Sequence, residues 1–395
     1  VGNENRGASR GRSLLSTAPE KFLFFAKRVR SEFFANCDFL IAGNLVNRIR
    51  IEAMKTKIVP VAATVLISCF PVIAVVAQSA QPMMKAAVLH EHGGPEVLKY
   101  EDAPRPEPKD DEVLVRVVAA GVNPVDTYIR QGMRSKSGPD QPMIIGYDIA
   151  GVVEKVGVKV KTFKAGDAVY AYLPVSRGGG YAEFAIAKEA EMSLKPKNID
   201  FEKAAAVPLA ATTAWQALVD MAKLEKGQTV LIHGGSGGVG CFAVQIAKAR
   251  GAKVIATAST ANQDLLKQLG VDQPIDYTTT KFQDVVKDVD IVLNGVRGDT
   301  LPPSYGVVKK GGIIVSITDE PDAAECAKHG IRGSRLMAHP DAKVLEELTK
   351  LIEANKITPI VSQTFPLMDV AQAHQQIETH HTRGKIVLKV ARERK

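Results

Sequence analysis

A twelve-residue stretch constrains this chain more than any other: Thr229-Val230-Leu231-Ile232-His233-Gly234-Gly235-Ser236-Gly237-Gly238-Val239-Gly240. A short apolar run passes into a glycine cluster and then into an amphipathic segment through Arg250. That pattern predicts strand, tight turn and helix, a geometry suited to the pyrophosphate of a dinucleotide. Gly235 is expected to make the sharp turn, and Gly237 or Gly238 to bring the backbone close to the phosphates. Gly240 is expected to let the helix pack tightly on the strand, with Ser236 and Val239 completing the cradle. The N–H groups that open such a helix lack intrahelical partners, and its dipole favours an anion there. Surface turns are also rich in Gly and Ser. The apolar run before the cluster and the helical pattern after it favour the nucleotide reading.

The 395 residues suffice for two domains with cores of their own. The formal charge of +8 suggests an anionic partner until it is located. Residues 1–57 carry eleven Lys or Arg against five Asp or Glu, a net +6, so only +2 remains on residues 58–395. That body shows no basic stripe with interleaved aromatics, which argues against nucleic-acid binding. Cys37, Cys69, Cys241 and Cys326 form no close pair, so neither a CxxC redox motif nor a cysteine-rich zinc knot is present. Cys241 and Cys326 read as small core residues, with a disulfide between them left open.

Val1 stands where methionine opens a complete chain, and residues 1–53 are basic without a sustained period. They read as a targeting peptide or, preferably, as non-native upstream sequence. Met54-Lys55-Thr56-Lys57 then leads into a 20-residue run without a charge, Ile58 to Ala77. With Ala77 and Ser79 before Ala80, residues 54–79 describe a secretory signal peptide. The run is also long enough for an uncleaved membrane anchor, and Leu66-Ile67-Ser68-Cys69 resembles a lipoprotein cleavage box. Localisation is therefore periplasmic or secreted, membrane-anchored, or cytoplasmic if translation starts at Met83 or Met84.

The body changes texture near Val207. Residues 84–207 are strand-rich, with apolar runs at 86–89, 112–117, 149–156 and 167–170, and Pro104, Pro106 and Pro108 form a stiff extended link. Residues 208–340 alternate strand candidates (229–232, 253–257, 290–293, 313–317) with helix patterns (239–250, 261–269, 302–309). Apolar strands separated by helices predict a parallel sheet covered on both faces. Residues 341–395 hold a helix, 341–354, and a terminal strand, 386–390, expected to return to the first domain. The fold class is α/β: a doubly wound, Rossmann-type parallel sheet combined with a second, strand-rich domain.

Several further segments carry a resemblance: Met84-Lys85-Ala86, Ala120-Gly121-Val122-Asn123-Pro124-Val125-Asp126, Gly146-Tyr147-Asp148-Ile149-Ala150-Gly151, Gly179-Gly180-Tyr181-Ala182-Glu183 and His381-Thr382-Arg383-Gly384-Lys385-Ile386-Val387. With the glycine loop, and in this order, they resemble zinc-independent medium-chain dehydrogenases/reductases close to the quinone oxidoreductases, over nearly all of residues 84–390. The resemblance implies a GroES-like catalytic domain, a Rossmann domain and a homodimer. It also implies NADPH-dependent reduction of a quinone or another conjugated carbonyl. Zinc-dependent relatives carry a cysteine near the position of Asn123 and a four-cysteine lobe. This chain has neither, so no metal is expected.

The second strand of the alternating region ends in Ala256-Thr257-Ala258-Ser259-Thr260, with no acid until Asp264. An acid there would hold the ribose hydroxyls of NAD; Ser259 instead suits a 2′-phosphate, which favours NADP. Ser259 reads equally as a helix N-cap. The resemblance places Thr213 and Arg383 near the cofactor, against a hydroxyl satisfied within helix 209–221 and a solvated turn arginine. Asn294, Gly295 and Val296 follow the fourth strand of the alternating region, at the edge where such sheets bind ligands.

Three residues are candidates for the chemistry. The Asn123 amide could hold a substrate carbonyl or the nicotinamide edge, or serve as a turn residue before Pro124. Tyr128 could donate a hydrogen bond to a reduced oxygen or simply pack. Arg134, where relatives often show tyrosine, could stabilise negative charge or face water. Asp126 reads as ordering its turn, His233 as structural, and His380 and His381 as no metal site. No G-x-S-x-G elbow is present. The expected reaction is hydride transfer to a quinone or enone. An enoyl-thioester reductase and a non-enzymatic nucleotide-binding protein on the same fold are the alternatives.

Overall fold

The computed structural model describes residues 81–133 and 142–391, which lie within one compact unit, Gln78–Lys395. The readings made of residues 1–53 and 54–79, and of Arg134, fall outside the described residues. Among those described, no helix is long and apolar enough to cross a membrane.

The strand-rich region builds two sheets. In the smaller, β1 (Met83–Leu89) lies between β2 (Leu98–Pro104) and β4 (Met143–Ile144). In the larger, the central strand is β3 (Glu112–Val122), which pairs antiparallel with β5 (Asp148–Val156) and β7 (Phe184–Lys188). β6 (Ala168–Tyr172) and β8 (Met192–Leu194) extend it beyond β5. β3 is buried along almost its whole length, which is why its apolar run does not alternate.

The alternating region forms a six-stranded sheet from β9 (Thr229–His233), β10 (Lys253–Ala258), β11 (Gln273–Asp276), β12 (Val289–Asn294), β13 (Val308–Ser316) and β14 (Arg332–Arg335). Its spatial order is β11-β10-β9-β12-β13-β14, with every pair parallel. This is the order 3-2-1-4-5-6 of a dinucleotide-binding sheet, and the chain reverses direction across the sheet beside β9. Finally β15 (Val361–Pro366) and β16 (Lys385–Lys389) rejoin the larger sheet, β16 antiparallel to β3 with Ile386 opposite Val122.

Two local expectations change. The helix read over 302–309 stops at Ser304 and a short turn, because Val308 already pairs with Val289 in the sheet. Ile313 then pairs with Ile291, so residues 309–312 loop out between them. The helix read over 209–221 is α-helical only from Pro208 to Trp215 and continues as a π-turn to Met221.

One apolar core serves both larger sheets. Val118, Ala119 and Tyr170 from the strand-rich side pack in it with Val230, Ile232 and Phe242 from the parallel side. Alanines 204–206, 210, 211 and 214 fill the space between, which lets helices and strands approach closely. Cys241 and Cys326 are buried free thiols, and burial pushes the Cys241 thiol up to about 12. That leaves it an inert packing group.

The glycine turn differs by one residue from its sequence reading. The left-handed position is Gly234, at φ +74°, while Gly235 packs where a Cβ would lie 2.8 Å from that of Ala256. Gly240 meets expectation, since a Cβ there would lie 2.1 Å from the Gly234 carbonyl oxygen. Gly240→Ala is therefore predicted to cost about 2–3 kcal/mol in urea unfolding. Gly306→Ala, which faces open space at ordinary φ, should stay within about 0.5 kcal/mol of the parent.

Candidate active site

The site begins where β3 ends. Asn123 precedes α1 (Pro124–Arg130), and its N–H donates to Asp126 Oδ2 at 2.6 Å while Asp126 N–H returns to Asn123 O at 3.0 Å. This reciprocal cap orders the turn, as the sequence suggested for Asp126. The carboxylate goes further: Tyr181 Oη donates to the same oxygen at 2.6 Å, and Asp126 Oδ1 makes no hydrogen bond. Burial is complete and pushes the Asp126 carboxyl up to about 7, against the hydrogen bonds that favour its ionised form.

The Asn123 amide is bonded at both its nitrogen and its oxygen. Its Nδ2 donates to Asp148 Oδ2 at 2.9 Å, and its Oδ1 accepts from Lys385 Nζ. Lys385 Nζ also donates to Asp148 Oδ2 at 3.2 Å and to Val122 O at 3.0 Å. Asp148 Oδ1 accepts the Leu209 N–H at 2.6 Å, at the start of the helix Pro208–Trp215. Three strands and two helix starts thus converge on one buried ion pair. Burial raises the Asp148 carboxyl, and the Lys385 charge pulls it back. Gly121 makes the convergence possible, because a Cβ there would meet Ala205 O at 2.4 Å and Asp148 Oδ2 at 2.9 Å. The amide offered to a substrate carbonyl, to the nicotinamide edge or to its own turn is bonded to this pair. Neither Asp148 nor Lys385 was singled out from sequence. Their signal is a charge at the first residue of a strand, each within a segment that carries the family resemblance.

The same lysine reaches the glycine turn. A Cβ on Gly238 would lie 3.1 Å from Lys385 Cδ, and Gly384 N–H donates to Ser236 O at 2.8 Å. Gly237 caps α2 (Gly238–Ala249) with no side chain on the first-turn N–H groups. An open helix start on a twelve-residue helix, ringed by Ser236, Gly237, Gly238 and Val239, fits a dinucleotide pyrophosphate. Val296 adjoins this turn, its Cγ2 3.0 Å from where a Gly234 Cβ would stand.

The other predicted contacts separate. Thr213 Oγ1 donates to Leu209 O at 2.7 Å, so its hydroxyl is satisfied within its helix. Asn294 is wholly buried, its amide bonded to Ser316, Thr318 and Thr300, and the exposed Gly295 follows it. Ser259 is half-buried and accepts from Asn262 Nδ2 at 3.2 Å. Arg383 is half-buried next to the Gly384–Ser236 contact and close enough to Cys241 to act on its thiol. The sequence reading missed an acid here: parallel pairing sets Asp276 of β11 beside Ala258 of β10. Its carboxylate is held low by hydrogen bonds from Thr260 and Thr278.

Tyr128 is half-buried on α1, and its hydroxyl makes no hydrogen bond among the described residues. It is the phenol this geometry leaves available. His233 bonds Ser304 and Thr257, but the Ser304 hydroxyl is given to Thr300 O at 2.6 Å and burial pushes the imidazole down to about 4. The pair is structural and no nucleophile. Among the described residues, no group of three or more His, Cys, Asp or Glu is placed to hold a metal ion.

Known proteins agree with this architecture. Residues 109–197 match the alcohol dehydrogenase GroES-like domain family, and residues 269–388 match the zinc-binding dehydrogenase family. The chain is 37% identical over 359 residues to the chloroplastic NADPH-dependent alkenal/one oxidoreductase of Arabidopsis thaliana, covering 87% of this chain and 90% of that one. A solved quinone oxidoreductase from Coxiella burnetii superposes with a TM-score of 0.73 at 34% identity, over 78% of this chain and all of that one. A mycobacterial structure complexed with NADPH superposes with a TM-score of 0.71 at 30% identity, over the same shares.

Two predictions follow from the buried groups. Lys385→Met strands the Asp148 carboxylate and should cost about 3–5 kcal/mol, whereas adding Asp148→Asn to it should recover more than half, read by a double-mutant cycle in urea. Asp126 holds a proton when folded that the unfolded chain has lost, so its stabilisation is present below about pH 4 and fades as pH rises through 7. Asp126→Asn should remove that slope from stability measured between pH 4 and 7, a change on the order of 4 kcal/mol.

Proposed function

Since this chain belongs to the zinc-independent, quinone-oxidoreductase-like branch of the medium-chain dehydrogenases/reductases, we propose that it reduces quinones or α,β-unsaturated carbonyls with NADPH. One observation carries the reading. The open helix start of the glycine turn is joined through Gly384 and Lys385 to the residue that caps α1, the helix bearing Tyr128. A nucleotide on that turn and an acceptor near Tyr128 would share one rigid support. The similar proteins carry names for alkenal/one and quinone reduction, and one was solved with NADPH.

When bound, the dihydronicotinamide supplies a hydride; the protein supplies placement and charge control. The N–H groups at Gly238, Val239 and Gly240 would hold the pyrophosphate, with Ser236 and Gly237 shaping the turn. Ser259 and Asn262 offer neutral hydrogen-bonding groups for a 2′-phosphate, and Asp276 is kept away by its bonds to Thr278 at 2.7 and 2.9 Å. Arg383 adds positive charge on the same side. Asn123 is a positioning residue: by gripping Lys385 and Asp148 it fixes the start of α1. The Tyr128 hydroxyl then donates to the acceptor oxygen as negative charge grows there. The domain limits 84–207, 208–340 and 341–395 and a homodimer belong to this proposal.

The test is nucleotide oxidation followed at 340 nm with protein starting at Ala80, offering 1,4-benzoquinone, 9,10-phenanthrenequinone, an alkenal and crotonyl thioester. Saturable NADPH oxidation with a quinone or the alkenal is expected. Tyr128→Phe should lower kcat about tenfold to a hundredfold with NADPH affinity kept, and Gly238→Asp should abolish nucleotide binding. Turnover of the thioester alone would replace this reading with enoyl reduction. Folded protein that binds no nucleotide would refute the cofactor assignment.

A further inference from the structure

β12 delivers its last residue, Asn294, to the ligand-binding edge of the parallel sheet, and the segment after it is anchored at its root. Thr300 Oγ1 donates to Asn294 Oδ1 at 3.0 Å, and Thr318 Oγ1 donates to Val296 O at 3.2 Å. From that root Arg297 reaches across to the other region of the fold. Its guanidinium carbon lies 5.2 Å from the centroid of the Tyr128 ring. A guanidinium stacked on a ring remains free to donate in its own plane, which a lysine ammonium cannot match bidentately.

The charge around this cation is poorly matched. The deeper cations of the same region are paired tightly, Lys385 with Asp148 and Arg130 with Glu378. Arg297 meets Asp319 only at 3.9 Å, beyond hydrogen-bond range, with both side chains about half exposed (52% and 43%). No hydrogen bond to its guanidinium exists among the described residues. Guanidinium donors without a hydrogen-bond partner among the described residues therefore stand over the face of the phenol assigned to the acceptor oxygen.

We propose that Arg297 is a specificity-determining residue that selects conjugated acceptors carrying a carboxylate, held by the guanidinium while the acceptor carbonyl reaches Tyr128. This inference rests on the reductase reading above. It names a substrate class within it: a keto-enoate in preference to the uncharged ketone, ester or aldehyde of the same shape.

The experiment compares trans-4-oxopent-2-enoate with its methyl ester, two acceptors of matched skeleton that differ in charge. For the parent protein the acid-to-ester ratio of kcat/KM should exceed one and fall as salt is raised, because the interaction is electrostatic and exposed. Arg297→Ala should lower that ratio about tenfold, the worth of one charge-assisted hydrogen bond, and Arg297→Glu should lower it further. Arg297→Lys should retain part of it. A ratio unchanged in Arg297→Ala, or an equal loss on both acceptors, would overturn the inference while leaving the reductase reading in place. If neither acceptor is reduced, turnover of 1,4-benzoquinone or the alkenal by the same protein decides the reductase reading on its own. Calorimetric binding of 4-oxopentanoate against its methyl ester to NADPH-loaded parent and Arg297→Ala protein then decides the role of Arg297 by the same ratio.

Discussion

A lysine and an aspartate, both removed from water, hold this molecule together at the point where it must work. Lys385 is 4% exposed and Asp148 is fully buried. Two such charges repay their lost hydration only with close mutual contact and further hydrogen bonds. Here those bonds come from Asn123, Val122 and Leu209. They come from two separate pieces of chain: Val122-Asn123, where β3 passes into α1, and the start of the helix Pro208–Trp215. The pair therefore does more than cancel charge. It makes the position of the last strand, of α1 and of the helix leading into the parallel sheet depend on one another.

The nucleotide turn inherits that dependence. Gly384 immediately precedes Lys385, the first residue of β16; the glycine binds Ser236 while the lysine runs past Gly238 into the ion pair. Under the proposed function, a dinucleotide seated on the turn would be referenced to Asn123 and, through α1, to Tyr128. A second buried set, Asp126 with Tyr181 and His374, braces the other side of α1. The His374 imidazole is driven down to about 3 by burial and the adjacent Arg130 guanidinium, so it serves as a neutral brace. Rigid support of this kind suits a reaction in which placement matters more than any strongly reactive side chain.

Much of this was legible in the chain itself. Strand, glycine cluster and helix at 229–250 announced the turn, since only glycine tolerates the φ at 234 and the contact at 240. The texture change near Val207 separated antiparallel strands from alternating strands and helices. Where pattern misled, a tertiary contact had overruled it. The helical period at 302–309 yielded to the pairing of Val308 with Val289. The Asn123 amide, read as a ligand group or a turn residue, has partners at positions 148 and 385 that no local pattern announced.

Local periodicity and backbone sterics are properties of neighbours in sequence, so the chain alone determined its element types, its parallel sheet and its nucleotide turn. The pairing of Lys385 with Asp148, the acid at Asp276 set beside Ala258 and the stacking of Arg297 on Tyr128 join residues far apart in the chain. No local pattern encodes such partners. Only folding, which removes the charges from water and forces each to find its match, decided them.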